Sequence, residues 1–254
     1  MNKFNHKDEI SRNLLSWERK PLLKKIYKSF YETIIKFLSS ESDLCSVELG
    51  SGIGNIKEFI PNCLRTDLFP NPWIDQVENA YKLSFSDSTV SNLILFDVFH
   101  HLRYPGTALK EFYRVLTPGG RVLIFDPCIS MLGLIVFGLL HHEDLGLRNE
   151  IKMFAPNGWS PDIDDYYAAQ GNASRIFLSN KYKMFLEDWR VVTRLRLSAI
   201  SYVASGGYSK PQFYPDKAFC FMQCVDKFCN LLPSLFATRL LVVLEKKNVV
   251  NTQI

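Results

Sequence analysis

Val47-Glu-Leu-Gly-Ser-Gly-Ile-Gly54 decides the fold. A short apolar run, 44–49, ends in glycines at alternate positions, and Asn55 to Phe59 then takes on helical character. A strand that breaks into a glycine-rich turn and resumes as a helix opens a parallel α/β sheet, and the turn is where such sheets bind nucleotides. Glycine serves there because a Cβ would hold a ligand off the backbone.

Spacing narrows the ligand. The glycines run GxGxG, so Asn55 stands where the dinucleotide pattern puts its third glycine. Glu48, two residues ahead of Gly50, repels a pyrophosphate and favours a cation. Asp67 ends a second short strand, Leu64 to Asp67, where its carboxylate can accept from both hydroxyls of a ribose. These features describe a ligand with a ribose and a positive charge but no phosphate. S-adenosylmethionine fits that description; NAD does not.

Outward from this loop, Trp73 to Val77 reads as a third strand and Val90 to Phe96 as a buried parallel one. Pro105 to Leu116 is helical, with Ala108, Leu109, Phe112, Val115 and Leu116 on one face. Thr117-Pro-Gly-Gly120 reads as a turn and Arg121 to Phe125 as the next strand, closing at Asp126-Pro127. Strands alternating with helices argue for a parallel sheet covered on both faces. Upstream, Leu14, Leu15, Leu22, Leu23, Ile26, Phe30, Ile34, Phe37 and Leu38 recur at helical intervals, and Pro21 starts a second helix. Downstream, Ile176 to Asp188 and Tyr214 to Leu232 read as helices, and Arg190 to Leu197 and Arg239 to Glu245 as strands. With no repeat or linker, the chain divides into N-terminal helices (1–43), a cofactor-binding half (44–127) and the remaining strands (128–254). Two insertions, 128–175 and 198–237, are expected to cap the substrate.

Five segments in order, Val47–Gly54, Asp67, Asn79-Ala80 before Leu83-Ser-Phe85, Asp97-Val-Phe-His-His-Leu102 and Glu111-Phe-Tyr-Arg-Val-Leu-Thr-Pro-Gly-Gly120, resemble the class I S-adenosylmethionine-dependent methyltransferases of the methyltransferase type 11 family. The resemblance covers about residues 44–127. It implies a Rossmann-like α/β fold: a seven-stranded, mostly parallel sheet with its last strand antiparallel, plus helical cap insertions. It also implies that Glu48, Gly50, Ser51, Gly52 and Gly54 border the methionine portion of the cofactor, Asp67 holds the ribose, and Asn79 and Ala80 meet the adenine. The family usually has Asp where Asn79 stands, and Phe-Asp where Val90-Ser91 enters the fourth strand. Asp97 would sit between cofactor and acceptor. His101, His100, Asp97 and His142 are the catalytic candidates, with His141 a further base, because imidazole titrates near neutrality. Asp126 faces the same crevice by topology, or simply forms an Asp-Pro turn. The implied activity is methyl transfer to a small-molecule, sugar or lipid-linked acceptor at oxygen. The competing readings are a non-catalytic or membrane-surface protein retaining this fold and a nicotinamide-dependent oxidoreductase.

Composition closes off other classes. With 254 residues, 47% hydrophobic, 22% charged and a net charge of +4, the chain is neither disordered nor a nucleic-acid binder. Met1 to Asp8 is polar and reads as no secretory leader. The cysteines form no CxxC pair and are expected to be buried, reduced thiols of a cytoplasmic protein, with no metal. Asp162, Asp164 and Asp165 read as a solvated loop. The apolar run Ile129 to Leu140 is shorter than the roughly 20 residues that span a bilayer. It is expected to bury itself or cap the core; a peripheral contact with the inner membrane face is the alternative. Three polar clusters, His141-His-Glu143, Gly171-Asn-Ala-Ser174 and Ser205-Gly-Gly-Tyr-Ser209, are candidate acceptor contacts.

Overall fold

A computed structural model describes residues 6–39, 45–141, 143–161 and 167–247. Its centre is a seven-stranded sheet of β1 (Cys45–Leu49), β2 (Leu64–Asp67), β3 (Gln76–Val77), β4 (Val90–Phe96), β5 (Leu116–Pro127), β6 (Trp189–Leu197) and β7 (Arg239–Lys246), in the order β3-β2-β1-β4-β5-β7-β6. Neighbours from β3 through β5 pair in parallel, while β7 runs antiparallel to both β5 and β6. This is the Rossmann-like arrangement expected, with the chain's last strand reversed.

The alternation along β4 explains the two layers. Every residue of Val90–Phe96 is buried. Leu93 and Leu95 pack into one core with Val47, Leu49, Phe112 and Val115, so α3 (Pro105–Val115) covers that face. Ile94 and Phe96 point the other way, into Tyr27, Phe30, Tyr31 and Ile34 of α2 (Pro21–Ile35). Phe30 and Phe96 both sit against Phe125, at centroid separations of 5.0 and 4.8 Å. The preceding helix, α1 (His6–Arg19), stops because Lys20 must be extended ahead of Pro21 (φ −115°, ψ 87°), and Pro21 restarts the helix as its first residue.

Several local expectations are corrected. The helix after the glycine turn is a single 3₁₀ turn, Asn55–Glu58, because Pro61 disfavours helical geometry at Ile60 and only a short connection precedes β2. Thr117 to Gly120 does not separate helix from strand. It lies inside β5 as an irregularity, where the register jumps from Val90↔Leu116 to Asn92↔Arg121 and Gly119 takes φ +78°. The helix expected over Ile176 to Asp188 is instead α5 (Asn172–Phe177), a break, and a 3₁₀ turn at Lys183–Leu186.

The run Ile129 to Leu140 forms α4 (Met131–Ile135), capped by Ser130 Oγ accepting from Gly133 N–H, and then one π turn, Val136–Leu140. It is not buried as expected. Gly133 packs against Cys128 O and Phe137 is buried, but Met131 is 63% and Leu139 78% exposed, because a helix apolar on every side can bury only one. The same holds for α7 (Phe219–Cys229), which follows α6 (Ile200–Ala204) and precedes α8 (Pro233–Phe236). Cys229 faces in, whereas Cys45, Cys220 and Cys224 are exposed, against the expectation of buried thiols; Cys63 and Cys128 are buried as expected. No helix among the described residues is long and apolar enough to cross a membrane.

Candidate functional site

A cavity of about 1290 Å³ opens at the carboxyl ends of β1, β2 and β4. The glycine turn is its floor. Gly50 (φ +70°) takes a conformation that favours glycine, and a Cβ there would overlap Val98 Cγ2. Gly52 (φ +52°) is different: no atom lies within 4 Å of where its Cβ would stand, so its backbone is bare towards the cavity. Gly54 does not line the cavity, contrary to its assignment. It faces Trp73 O and Arg65, and its left-handed backbone (φ +68°) leads into the 3₁₀ turn.

The remaining cofactor candidates, Glu48, Gly50, Ser51, Gly52, Asp67, Asn79, Ala80 and Asp97, all line this one cavity. Asp67 is fixed by backbone donors: Gly52 N–H donates to Oδ2 at 2.9 Å and Phe69 N–H to Oδ1 at 3.2 Å. A carboxylate oxygen has two lone pairs, so acceptor capacity remains on both. Glu48 is 2% exposed. The Tyr31 hydroxyl donates to its Oε1 at 3.0 Å, while Oε2 is buried with no hydrogen-bond partner. Burial pushes this carboxyl up to about 7. Asn79 is engaged at both ends: Oδ1 accepts from Tyr81 N–H (3.0 Å) and Nδ2 donates to Pro161 O (2.7 Å). Beside it Trp159, an aromatic of the first cap insertion, meets Tyr81 and Tyr104 edge-on, at 4.9 and 5.1 Å between centroids, forming an aromatic wall whose two tyrosines the sequence does not single out.

Asp97 follows β4 with a left-handed backbone (φ +56°), its N–H donating to Phe125 O at 2.8 Å. Its carboxylate pairs with Arg239, a buried side chain lying over the Tyr202 ring at 4.6 Å. In the sequence Arg239 stands out only as the first residue of a strand. Its charge, alone in the otherwise apolar start of β7, is the signal that marks it.

The 3₁₀ turn Phe99–His101 sets the His100 and His101 rings side by side, 4.1 Å between centroids. Asp126 is fully buried, and its Oδ1 lies 3.1 Å from His100 Nδ1, so it orients the imidazole and does not line the cavity. Burial alone would lower His100, but Asp126 and Glu143 outweigh it and hold the ring up at about 10. His101 Nδ1 lies 3.0 Å from Tyr167 O. Burial, reinforced by the neighbouring His100, brings His101 down to about 4. Near neutrality His101 is therefore the uncharged ring of the pair. Glu143 faces both rings, at 3.6 Å from His100 Nε2 and 3.9 Å from His101 Nε2. His142 lies outside the described residues, as do Asp162, Asp164 and Asp165.

Of the three polar clusters, two reach the cavity, through His141 and Glu143 and through Gly206, Gly207, Tyr208 and Ser209. The third is structural: Ser174 Oγ accepts from Ile129 N–H and Asn172 bonds the Tyr167 hydroxyl. The cavity roof at 207–210 is fastened by α1 and the residue after it, since Ser16 Oγ donates to Tyr208 O and Lys20 Nζ to Gly207 O. Val136, Phe137, Leu140 and Phe213 make part of the wall apolar.

Residues 48–124 match the family described as Methyltransferase domain. A Dictyostelium discoideum protein described as Probable polyketide synthase 10 is 28% identical over 90 residues, 34% of this chain but only 4% of that protein's length. Among solved structures, a chain of the complex between the Haloferax volcanii Trm112 methyltransferase activator and its methyltransferase superposes with TM-score 0.52 at 14% identity, covering 95% of this chain and 96% of that one. Geranyl diphosphate C-methyltransferase from Streptomyces coelicolor A3(2) superposes with TM-score 0.50 at 13% identity, covering 88% and 82%. At these identities the superpositions speak for the fold.

Proposed function

We propose, from the match of residues 48–124 to a methyltransferase domain, that this protein moves a methyl group from S-adenosylmethionine to a small-molecule, sugar or lipid-linked acceptor at oxygen. The carrying observation is the cavity floor, where the bare backbone of Gly52, the fixed carboxylate of Asp67 and the unpartnered Glu48 Oε2 lie together. That donor set fits a ribose and a positive charge. The crowding of a pyrophosphate by Glu48 weighs against a nicotinamide cofactor.

When bound, the cofactor supplies a methyl already activated on a sulfonium, so the protein's work is alignment and exclusion of water. In this reading Asp67 accepts from the ribose hydroxyls, and Gly50, Ser51 and Gly52 let the methionine portion lie on the backbone beside Glu48. Ala80 and the Trp159–Tyr81 wall flank the adenine, and Asn79 contributes its remaining lone pair. Asp97, held by Arg239, separates cofactor from acceptor. His101 takes the acceptor's proton on Nε2, since Nδ1 faces a carbonyl and the ring is neutral. His100 is oriented by Asp126, and His142 is the alternative base. The cavity exceeds the roughly 1,000 Å³ that bounds ordinary ligand pockets, which supports two ligands at once. Its apolar wall, and the exposed Met131, Leu134 and Leu139 on the same segment, support a partly apolar acceptor met in the cytoplasm at a membrane face.

Calorimetric titration with S-adenosylmethionine, S-adenosylhomocysteine and NAD tests this. The first two should bind and NAD should not; binding of NAD alone refutes the assignment. Mass spectrometry of metabolites that gain a methyl on expression of the protein identifies the acceptor, and no such gain favours a non-catalytic protein that retains the fold.

A further inference from the structure

The exposed apolar side chains gather on two segments of the cap. One is α4 with its π turn, where Met131, Leu134, Ile135, Leu139 and Leu140 are each at least 40% exposed. The other runs from Phe213 through α7 to α8. Phe221, Cys224 and Phe228 follow one another at steps of three and four residues, so they form one exposed stripe of α7, and Leu231 and Leu232 continue it past the helix end. The two segments make one surface, because α8 packs on α4: Ser130 Oγ donates to Leu235 O at 3.2 Å, and a Cβ on Gly133 would stand 3.4 Å from Ala237 O. This surface also reaches the cavity. Phe213 and Leu140 line the cavity while 76% and 61% exposed, which puts both at its mouth.

Charge decides what covers it. Met131 to Leu140 holds no charged or polar side chain. Between Phe213 and Leu235 the charged residues are Asp216, Lys217, Asp226 and Lys227. Both acids are turned to their own fold: Asp216 accepts from Gln212 Nε2, and Asp226 accepts from the Ser201 N–H and hydroxyl. Both lysines are exposed. The charge offered outward beside the apolar stripe is therefore positive. A protein partner's footprint carries a polar rim with hydrogen bonds. Helices that show apolar side chains flanked by lysine fit the interface of an anionic bilayer, where the apolar groups enter the acyl boundary and the ammonium groups meet phosphate.

We propose that α4 with its π turn and the α7–α8 segment dock together on an anionic lipid bilayer, with the mouth of the cavity turned towards the lipid. Neither segment crosses the membrane, since no described helix is long and apolar enough. They lie in the interface, with Lys217 and Lys227 at the level of the phosphates. An acceptor carried by the bilayer then enters between Phe213 and Leu140 without passing through water. The docking itself needs only this surface; its use in delivering an acceptor rests on the proposed function.

The whole protein is sedimented with sucrose-loaded vesicles of phosphatidylcholine alone and of equimolar phosphatidylcholine and phosphatidylglycerol. The wild type should sediment with the anionic vesicles and bind the neutral ones more weakly. Phe221→Ser with Phe228→Ser should weaken anionic-vesicle binding by about tenfold or more. Lys217→Gln and Lys227→Gln should each weaken it by about fivefold. Lys181→Gln with Lys183→Gln, ahead of β6 at the edge of the sheet away from the cavity, should change nothing. Thermal unfolding of each variant should match the wild type, because the changed side chains are exposed, and so keeps lost docking apart from lost fold. No binding to anionic vesicles, or binding that survives the paired phenylalanine change, overturns the proposal. So does a wild-type dimer without vesicle binding that the phenylalanine change dissolves, which would give this surface to a second copy of the chain. S-adenosylmethionine titrations of the same variants in vesicle-free buffer, expected to match the wild type, keep a failed docking surface distinct from a failed cofactor assignment.

Discussion

Replacing Glu48 with glutamine should make the protein more stable, increasingly so as the solution becomes more alkaline. Glu48 is buried on β1, and burial raises its carboxyl from 4.5 to about 7. The folded state thus favours the protonated acid. The stability this contributes is full below pH 4.5 and is lost as pH rises through 7. At about 1.4 kcal/mol per pH unit, the interval is worth about 3 kcal/mol. A glutamine side chain cannot ionise and escapes that loss while still able to accept from Tyr31. Urea unfolding of both proteins at about pH 5, 6, 7 and 8 checks this: the advantage of Glu48→Gln should grow by about 2.5 kcal/mol across the series. In melting temperature the gain is roughly 6–12 °C for a chain of this size. A difference that stays constant with pH refutes the reasoning. Saturating S-adenosylmethionine should also flatten the wild-type profile, because a nearby cation favours the ionised carboxylate.

Asp67→Ala should weaken S-adenosylmethionine by about 1–3 kcal/mol, the scale of charge-assisted hydrogen bonds, and calorimetry showing unchanged affinity would remove Asp67 from the ribose. His101→Ala should leave cofactor affinity intact and lower turnover once an acceptor is found; undiminished turnover takes it out of the chemistry. Arg239→Leu leaves the Asp97 carboxylate without its partner and should cost about 3 kcal/mol in denaturant unfolding, whereas a loss within measurement error would mean that solvent in the cavity satisfies Asp97.

The sheet was legible because its strands carry their own signals. Val90–Phe96 is apolar save for Ser91 and Asn92, as suits a strand covered on both faces, and the glycines at 50 and 52 mark the turn that floors the cavity. Seven of the eight residues read as cofactor contacts in the strand-loop half, together with Asp97, line one cavity; Gly54 fails because alternate glycines in a tight turn cannot all face the same way. Less legible was whatever depends on distant segments meeting. Glu143 gains its meaning only when the insertion folds back over His100 and His101, and Arg239 only when the last strand returns beside Asp97. Periodicity also could not say how much of an apolar helix is covered, so Met131, Leu139, Cys220 and Cys224 were expected inside and lie outside.

The left-handed backbone of Asp97 limits what can ever stand there. Few side chains tolerate φ near +56°; aspartate and asparagine are among them, and a β-branched residue is not. Asparagine is therefore the exchange that keeps the bend of the chain while erasing the charge facing Arg239, so geometry and electrostatics at this corner can be separated by changing a single atom type.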